Sequence, residues 1–455
     1  MFKQRTALLA ASLTIGVVLA GCASKPPAPE RSEAELPDRF SSGGEGKRPE
    51  RWWRHFDDTA LDRIVAEVLE QNLSLAAARE RLRRARAEAR RVAGGELPSL
   101  DANAEASSET DYSSGAMAAY ELDLWGRLEA ATEAAEFEAE ATRRDLQAAR
   151  ISLTAEAATA YYRIRRNQAL AELLREQRRT NQQILDLVTM RFQNGQAASD
   201  EVLRQRQLIE ETDTELASVE GRIERGRAEL AALMGLPGPK ALDLPEANGL
   251  PELPPQPATG LPAQWLQRRP DLEAAFLRVR AADAGLAAAI AERYPRIDLT
   301  ASLTSAASSP GALFEDWITE IAASLSVPLF RGGSIEAEID RTEAARAAAF
   351  NDYAQTVLDA VAAVETELAD QRTQRRRLAS LERRVEQGKQ IQKRLRYRYR
   401  HGDADFLDVL EAQDQLQGDQ RQRLEARWAR VTERIALLRE LAGAWKATDQ
   451  TASTQ

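Results

Sequence analysis

The chain has 455 residues, of which 43% are hydrophobic, 29% are charged and 5% are aromatic, and its formal net charge is −9. These fractions are typical of a folded protein, and the negative charge argues against a nucleic-acid-binding surface. One cysteine and two histidines exclude an intrachain disulfide and a His/Cys metal cluster. No catalytic triad or phosphate-loop pattern stands out, so the sequence predicts neither an enzyme nor a bound cofactor.

Residues 1–21 are predicted to form a signal peptide. Lys3 and Arg5 precede an apolar stretch over 7–20, which is shorter than the roughly 20 residues of a membrane span. It ends in Leu-Ala-Gly-Cys, which resembles a bacterial lipobox, so Cys22 is predicted to carry a covalent lipid. No aspartate follows Cys22 as an inner-membrane retention signal, which favours the outer membrane. The alternative is a plain signal peptide that contains a cysteine by chance.

Residues 22–58 are predicted to be an acylated tether and an equatorial segment, because 22–49 are rich in Pro, Ser, Gly and charge. Apolar residues at helical spacing then predict a helix over 59–93, which Gly94-Gly95 and Pro98 stop.

A β-hairpin is predicted over 97–125. Small or apolar residues alternate with polar ones over 100–107 and again over 118–124, and Ser113-Ser114-Gly115 are interpreted as the turn.

Two long helices dominate the rest of the chain. Residues 128–194 contain no Gly or Pro, and 334–401 contain no Pro and one Gly. Each run is about 67 residues, or about 100 Å of helix, with apolar residues at coiled-coil spacing. Shorter helices are predicted over 199–233 and 405–442, after turns at Gly195 and Gly402.

The chain repeats its landmarks in the same order. Arg191-Phe192-Gln193-Asn194-Gly195 matches Arg398-Tyr399-Arg400-His401-Gly402, and Leu97-Pro98 matches Tyr294-Pro295. Leu124-Trp125-Gly126-Arg127 matches Leu329-Phe330-Arg331-Gly332. The sequence therefore predicts two structural repeats.

The repeats set the predicted organisation. The first repeat covers 59–235, a Pro-rich linker covers 236–262, and the second repeat covers 263–443 with a tail over 444–455. The second repeat has its own hairpin over 295–330, in which 297–304 and 317–327 alternate on either side of a turn at 308–311.

Four strands of about 8–11 residues have the length of tilted membrane strands, with one apolar or small face and one polar face. Soluble, exposed hairpins are the alternative. A filled barrel takes about eight strands, so membrane insertion would require several copies of the chain.

Five motifs are spread along the mature chain. They are Cys22, Trp52-Trp53, the Glu-Leu-Asp-Leu-Trp-Gly-Arg run over 121–127, Arg-Arg-Pro-Asp-Leu over 268–272, and Leu-Asp-Val-Leu-Glu-Ala-Gln over 407–413. Together they resemble the outer-membrane factor family, that is, TolC-like channels of the NodT lipoprotein type. The resemblance implies a mainly α fold with a membrane β-barrel, in which a homotrimer closes a barrel of about 12 strands below which an antiparallel coiled-coil tunnel crosses the periplasm.

The resemblance also implies a function. The trimer would be the exit duct of a tripartite efflux system for drugs, toxic organics or metal ions, joined to a periplasmic adaptor (membrane fusion protein) and an RND-type inner-membrane pump. Two alternatives stay open. One is the exit duct of a type I polypeptide secretion system, and the other is a structural coiled-coil lipoprotein without a pore.

The family comparison assigns candidate residues to the periplasmic entrance. Tyr399 matches a position that restrains the entrance, although its usual basic partner position is Ala404 here. Asp408 and Glu411 are three apart and share one helix face, so three copies would gather a carboxylate ring at the gate. The alternative is local, with Asp405 as an N-cap and Asp408 as a first-turn acid.

The turn tips are the predicted adaptor-docking site. They contain Phe192, Gly195, Ser199 and Gly402, and the two glycines also suit left-handed helix caps whether or not a partner docks there.

Overall fold

The computed structural model describes residues 39–42, 51–107, 112–242, 244, 249–259 and 268–442. Cys22, the signal peptide and the 444–455 tail lie outside these residues. The chain divides into two compact units. The described residues of the first unit lie within Glu80–Arg144 and Leu272–Thr356, and those of the second within Glu35–Arg79, Asp145–Asp271 and Val357–Gln455.

The first unit contains one antiparallel sheet of four strands in the order β1-β2-β3-β4. The strands are β1 (Ser99–Ala106), β2 (Tyr112–Leu122), β3 (Arg296–Ala307) and β4 (Ile318–Ser326). Each predicted hairpin forms a strand pair, and β2 and β3 join the two pairs at the centre. The outer edges of β1 and β4 have no partner strand within the described chain.

The strand register confirms the alternation read from the sequence. Ala102 lies opposite Ala116, Ala116 opposite Leu303, and Ala301 opposite Ile321. Because paired residues share a face, these side chains form one apolar face of the sheet. The other face carries Asp101, Met117, Ser302 and Glu320 in a single row across the four strands.

The turn predicted at Ser113–Gly115 is wrong, because these residues belong to β2. Gly115 is paired on both sides, with Asn103 of β1 and Thr304 of β3. A Cβ atom there would come within 2.9 Å of the Leu303 carbonyl oxygen. Gly115 therefore allows the central strands to approach closely. From composition alone, a glycine with this role cannot be distinguished from a glycine in a turn.

Side chains after β2 hold it against the start of β3. The Trp125 ring stacks on Tyr294, with centroids 4.9 Å apart, and its Nε1 donates to the Pro295 carbonyl at 2.7 Å. The Asp123 carboxylate accepts from the backbone N–H groups of Arg127 and Glu129, and so caps the helix that follows.

Seven α-helices complete the described chain. They are α1 (Thr59–Gln71), α2 (Leu73–Ala93), α3 (Arg127–Gln193), α4 (Ser199–Leu233), α5 (Pro270–Ala291), α6 (Ser334–His401) and α7 (Phe406–Leu441). The long α3 and α6 have 67 and 68 residues, as the sequence predicts. None of the described helices is long and apolar enough to cross a membrane.

The single helix predicted over 59–93 is instead two, because Asn72 has an extended conformation with ψ 123°. Its side chain caps α2 by accepting from the Leu75 N–H at 2.9 Å, and its Nδ2 donates to the Leu233 carbonyl at 2.8 Å. The amide thus stabilises the break by joining it to the end of α4.

The predicted coiled-coil seams are buried in the second unit. Ala157 and Ile164 of α3 and Val364 of α6 are each 0% exposed. The fully buried Asn181 interrupts the apolar packing. Its Oδ1 accepts from Gln413 and from Gln417 of α7, while its Nδ2 donates to Thr212 and its carbonyl accepts from Gln205, both of α4. We call these side chains the Asn181 network; it joins three helices.

Candidate functional site: the helix turns

The two interhelical turns share one construction. Gly195 and Gly402 have φ values of 70° and 82°, which favour glycine. The Gly195 N–H donates to the Phe192 carbonyl, and the next N–H donates to the Arg191 carbonyl. Gly402 and its neighbour repeat both bonds with Tyr399 and Arg398. This is the Schellman arrangement, which satisfies the last carbonyls of a helix. Both glycines therefore act as left-handed caps.

A hydrophobic cluster joins the four helices that end or begin at these turns. We call it the turn cluster, and its buried members are Ile184, Val188, Val202, Tyr399, Phe406 and Val409. Tyr399 lies in its middle, 4% exposed, with its ring 5.7 Å from that of Phe406. The end of α6 is thus fixed against α3, α4 and α7 within the second unit.

The Tyr399 hydroxyl donates a hydrogen bond to Oε2 of Glu201 at 2.7 Å. The other oxygen of Glu201 accepts from the Ala198 N–H at the start of α4. Burial, together with the hydrogen bond and negative charge of Glu201, raises the pKa of the Tyr399 phenol above its ordinary value of 10.0. The hydroxyl is therefore a proton donor throughout the physiological range.

Arg191 completes the arrangement from the end of α3. Its guanidinium carbon lies 4.3 Å from the centre of the Tyr399 ring, a cation–π geometry. The same guanidinium donates to the Tyr399 carbonyl and, at 3.3 Å, to the Gln196 carbonyl in its own turn. Arg191, Tyr399 and Glu201 therefore form a three-residue link between the two turns, which we call the turn latch.

Two members of the turn latch are absent from the sequence-based predictions. Arg191 is visible in the repeat only as the counterpart of Arg398, and Glu201 follows Gly195 with no special signal except its place in the first turn of α4. Tyr399 was predicted. The family's usual basic partner position is Ala404 here, and the basic residue that contacts Tyr399 is Arg191 instead.

Asp408 and Glu411 lie on the exposed surface of α7. Neither forms a hydrogen bond or ion pair with the residues that the structure describes. The cap alternative is correct in part: Asp405 occupies the N-cap position and Asp408 the first turn, but the Asp405 side chain makes no capping hydrogen bond. Their exposure leaves both Asp408 and Glu411 available to solvent ions.

The remaining predicted residues form an exposed tip. Phe192 is 45% exposed, although the equivalent Tyr399 is buried, and Ser199 is exposed at the first position of α4. Leu203 and Leu407 are more than half exposed nearby in sequence. No group of three or more His, Cys, Asp or Glu in the described part of the chain could hold a metal ion.

This fold, a four-stranded sheet together with long helices, is that of the outer-membrane efflux channels. The chain matches the family described as outer membrane efflux protein over residues 64–236 and 261–444, and it belongs to that family.

Two named relatives extend the match along most of the chain. It is 30% identical over 428 residues to the pyoverdine export outer membrane protein OpmQ of Pseudomonas putida, covering 88% of this chain and 90% of the relative. It is 26% identical over 455 residues to the cation efflux system protein CusC of Escherichia coli, covering 95% and 98%.

Solved structures agree. The open state of the MtrE outer membrane channel of Neisseria gonorrhoeae is 26% identical with a TM-score of 0.83, over 92% of this chain and 98% of that one. A CusC crystal structure also has a TM-score of 0.83 at 25% identity, over 92% and 99%. These findings confirm the predicted family, the mainly helical fold and the outer-membrane location; because the family consists of efflux channels, they also confirm that the protein is not an enzyme.

Proposed function

We propose that three copies of this chain form the exit duct of a tripartite efflux system, joined to a periplasmic adaptor and an inner-membrane pump of the RND type. The observation that carries the proposal is the sheet of the first unit. It has one apolar face, one polar face and two edges that have no partner strand within the described residues. Lipid requires every backbone group to be paired, and three sheets of four strands supply enough strands for a wet-lumen barrel.

The turn latch is proposed to hold the periplasmic entrance narrow. Its contacts combine a partly buried hydroxyl–carboxylate hydrogen bond, a cation–π contact and a hydrogen bond from Arg191 to the Tyr399 carbonyl. All three act on the last turn of α6. To open the entrance, the end of α6 would have to break its contacts with Glu201 and Arg191 at the same time. The latch would therefore be either formed or broken and would not bend gradually.

Asp408 and Glu411 are proposed to form the carboxylate ring of the entrance. Both are exposed and have no partner among the described side chains, so three copies would place about six acidic groups around one axis. Replacing both by Ala should weaken block by multivalent cations from the periplasmic side, and replacing both by Lys should reverse the ion preference. Wild-type cation selectivity and block in the double Ala variant would remove the ring from the mechanism.

The exposed tip with Phe192, Gly195, Ser199 and Gly402 is proposed to dock the adaptor. Phe192 offers an apolar contact that the turn cluster does not use. The glycines keep the backbone accessible, because nothing lies within 4 Å of where their Cβ atoms would be.

Small molecules or ions are the proposed cargo. The relatives are named for export of pyoverdine, of solvents or toluene, and of cations. The type I secretion alternative uses the same fold with a different pump. A structural lipoprotein without a pore is disfavoured, since it has no use for a two-faced sheet.

The deciding experiment is reconstitution of the purified, full-length protein in planar bilayers, with its mass measured in mild detergent. We expect a stable trimer and stepwise conductance. Only monomers in the membrane, or no conductance from a folded protein, would contradict the duct. Deletion of the gene in the native strain, scored for sensitivity to solvents, dyes and metal ions against loss of a secreted protein, separates efflux from secretion.

A further inference from the structure

The two junctions between strand and helix in the first unit are equivalent in sequence but differ in contacts. After β2, Trp125 is partly buried against Tyr294 and Pro295. After β4, the equivalent Phe330 is 89% exposed and Leu329 is 91% exposed. Isolated exposed apolar residues need no explanation, but these two are consecutive and lie where the matching junction is packed.

The same sequence repeat identifies the residues on which Phe330 would pack. Trp125 packs on Tyr294 and Pro295 just before β3. Their equivalents just before β1 are Leu97 and Pro98. Leu97 is itself 67% exposed. Because β1 and β4 are the opposite edges of the sheet, Phe330 cannot use the β1 of its own sheet as its neighbouring strand. The β1 edge of a second copy offers the equivalent packing site.

We propose that Phe330 and Leu329 of each copy pack on Leu97 and Pro98 of the partner subunit, and that this contact sets the register in which β4 pairs with the partner subunit's β1. The proposal rests on the assembly described under the proposed function and specifies its interface. The contact would be purely apolar, because phenylalanine lacks the indole N–H that Trp125 donates to Pro295.

The pairing of β2 with β3 gives the register. Within the chain, Leu122 lies opposite Ile297, and Tyr120 opposite Leu299. We replace each residue of these pairs by its equivalent in the other repeat. This places Val327 opposite Leu100 of the partner subunit, and Leu325 opposite Ala102 of the partner subunit.

Face chemistry fits this register and excludes a slip by an odd number of residues. Continuing it places Ala323 opposite Ala104 of the partner subunit, and Ile321 opposite Ala106 of the partner subunit. All these residues belong to the apolar faces of their strands in the observed sheet. A slip of one residue would pair the apolar face of β4 with the acidic face of β1, which contains Asp101 and Glu105. The apolar surface thus continues across the junction without interruption.

Disulfide trapping tests the register. The pair Leu325→Cys and Ala102→Cys, introduced into one full-length chain, should give linked dimers and trimers on oxidation, because directly opposed Cβ atoms lie within about 5.5 Å. Leu325→Cys with Asn103→Cys is the matched control, since its thiols point to opposite faces. Each single variant controls for linkage through Cys22.

The outcomes separate this inference from the duct itself. Linkage of the 325–102 pair alone supports the register. Linkage of Leu325→Cys with Ala104→Cys instead, or no linkage in a protein that still trimerises and conducts, overturns the register while leaving the duct intact. Only monomers in the membrane would overturn both.

A second variant tests the contact without new thiols. Phe330→Ala should increase the monomer fraction in mild detergent at least about tenfold, since burial of one phenylalanine changes an association constant by an order of magnitude or more. Phe314→Ala is the control, because Phe314 is also exposed, at 68%, but precedes β4. Equal monomer fractions in the two variants, with intact helical content, would overturn the contact.

Discussion

The turn latch makes its sharpest prediction at the hydroxyl of Tyr399. Replacing Tyr399 by Phe keeps the buried ring, its packing on Phe406 and the stacking of Arg191. It removes only the bond to Glu201. A hydrogen bond to a charged group contributes about 1.5–3 kcal/mol. Because Glu201 is partly exposed and can rehydrate, we expect a loss of about 1.5 kcal/mol, the low end of that range.

The loss of this hydrogen bond should shift the equilibrium between the closed and open states of the channel. If the latch forms only in the closed state, about 1.4 kcal/mol corresponds to a tenfold shift between closed and open. The open probability of Tyr399→Phe in planar bilayers should therefore rise about tenfold. Glu201→Gln keeps an acceptor for the hydroxyl and should produce a smaller rise.

A matched control lies two residues earlier. Tyr397 is 64% exposed on the same helix, so Tyr397→Phe removes a hydroxyl that makes no hydrogen bond within the described chain. The pH dependence adds a second check. Since the folded-state pKa of Tyr399 is raised, the contribution of the latch is complete below the ordinary value of 10.0 and is lost only as pH rises through the higher folded value. Equal open probabilities for Tyr399→Phe and Tyr397→Phe between about pH 6 and 9, below the ordinary phenol value, would refute the latch.

Four further predictions concern other parts of the chain. Gly402→Ala should lower the free energy of unfolding by about 1–2 kcal/mol through backbone strain alone, measured by thermal denaturation, because its site is otherwise open. Asn181→Ala leaves the Gln413 and Gln417 amides without their buried acceptor and should cost about 2–5 kcal/mol by the same assay, whereas an effect under about 1 kcal/mol would contradict the network. Burial and neighbouring carboxylates raise the pKa of Glu433 to about 7. Its stabilising contribution is therefore present below about pH 4.5 and is lost as pH rises through 7. Over that window, the unfolding temperature of Glu433→Gln should depend less on pH than that of the unmodified protein. Cys22→Ser should abolish acylation, detected by mass, yet retain conductance, since the proposed barrel and not the lipid spans the membrane.

The sequence predicts the long helices well because their signals are local. Long runs without Pro and with at most one Gly end at Gly195 and Gly402, whose positive φ is observed in both turns. The break at Asn72 was missed because its cause is distant in sequence: the amide bonds to Leu233, which nothing around residue 72 reveals. Gly115 was misread for a similar reason, since its neighbour on the far side belongs to β3.

The site was predicted less completely than the fold. Resemblance identifies Tyr399 but not the partners it uses here, and neither Arg191 nor Glu201 has a neighbour in sequence that hints at the other. Repetition was the most informative signal available. It names Arg191 and Arg398 as equivalents, and each donates to the carbonyl one residue beyond its own capping glycine. What repetition cannot predict is divergence, such as the burial of Tyr399 against the exposure of Phe192.

The Asn181 network has a consequence for how such a bundle can move. A seam of small apolar residues looks nearly the same after a shift of one heptad, so packing alone would let α7 slide along α3 with little penalty. Asn181 accepts from Gln413 and Gln417 at only one height along the helices. If α7 slid along α3, the Gln413 and Gln417 amides would lose their hydrogen bonds inside an apolar interior. The network therefore resists sliding of α7 along α3, so any movement of the helix ends relative to one another would have to pivot about the level of Asn181.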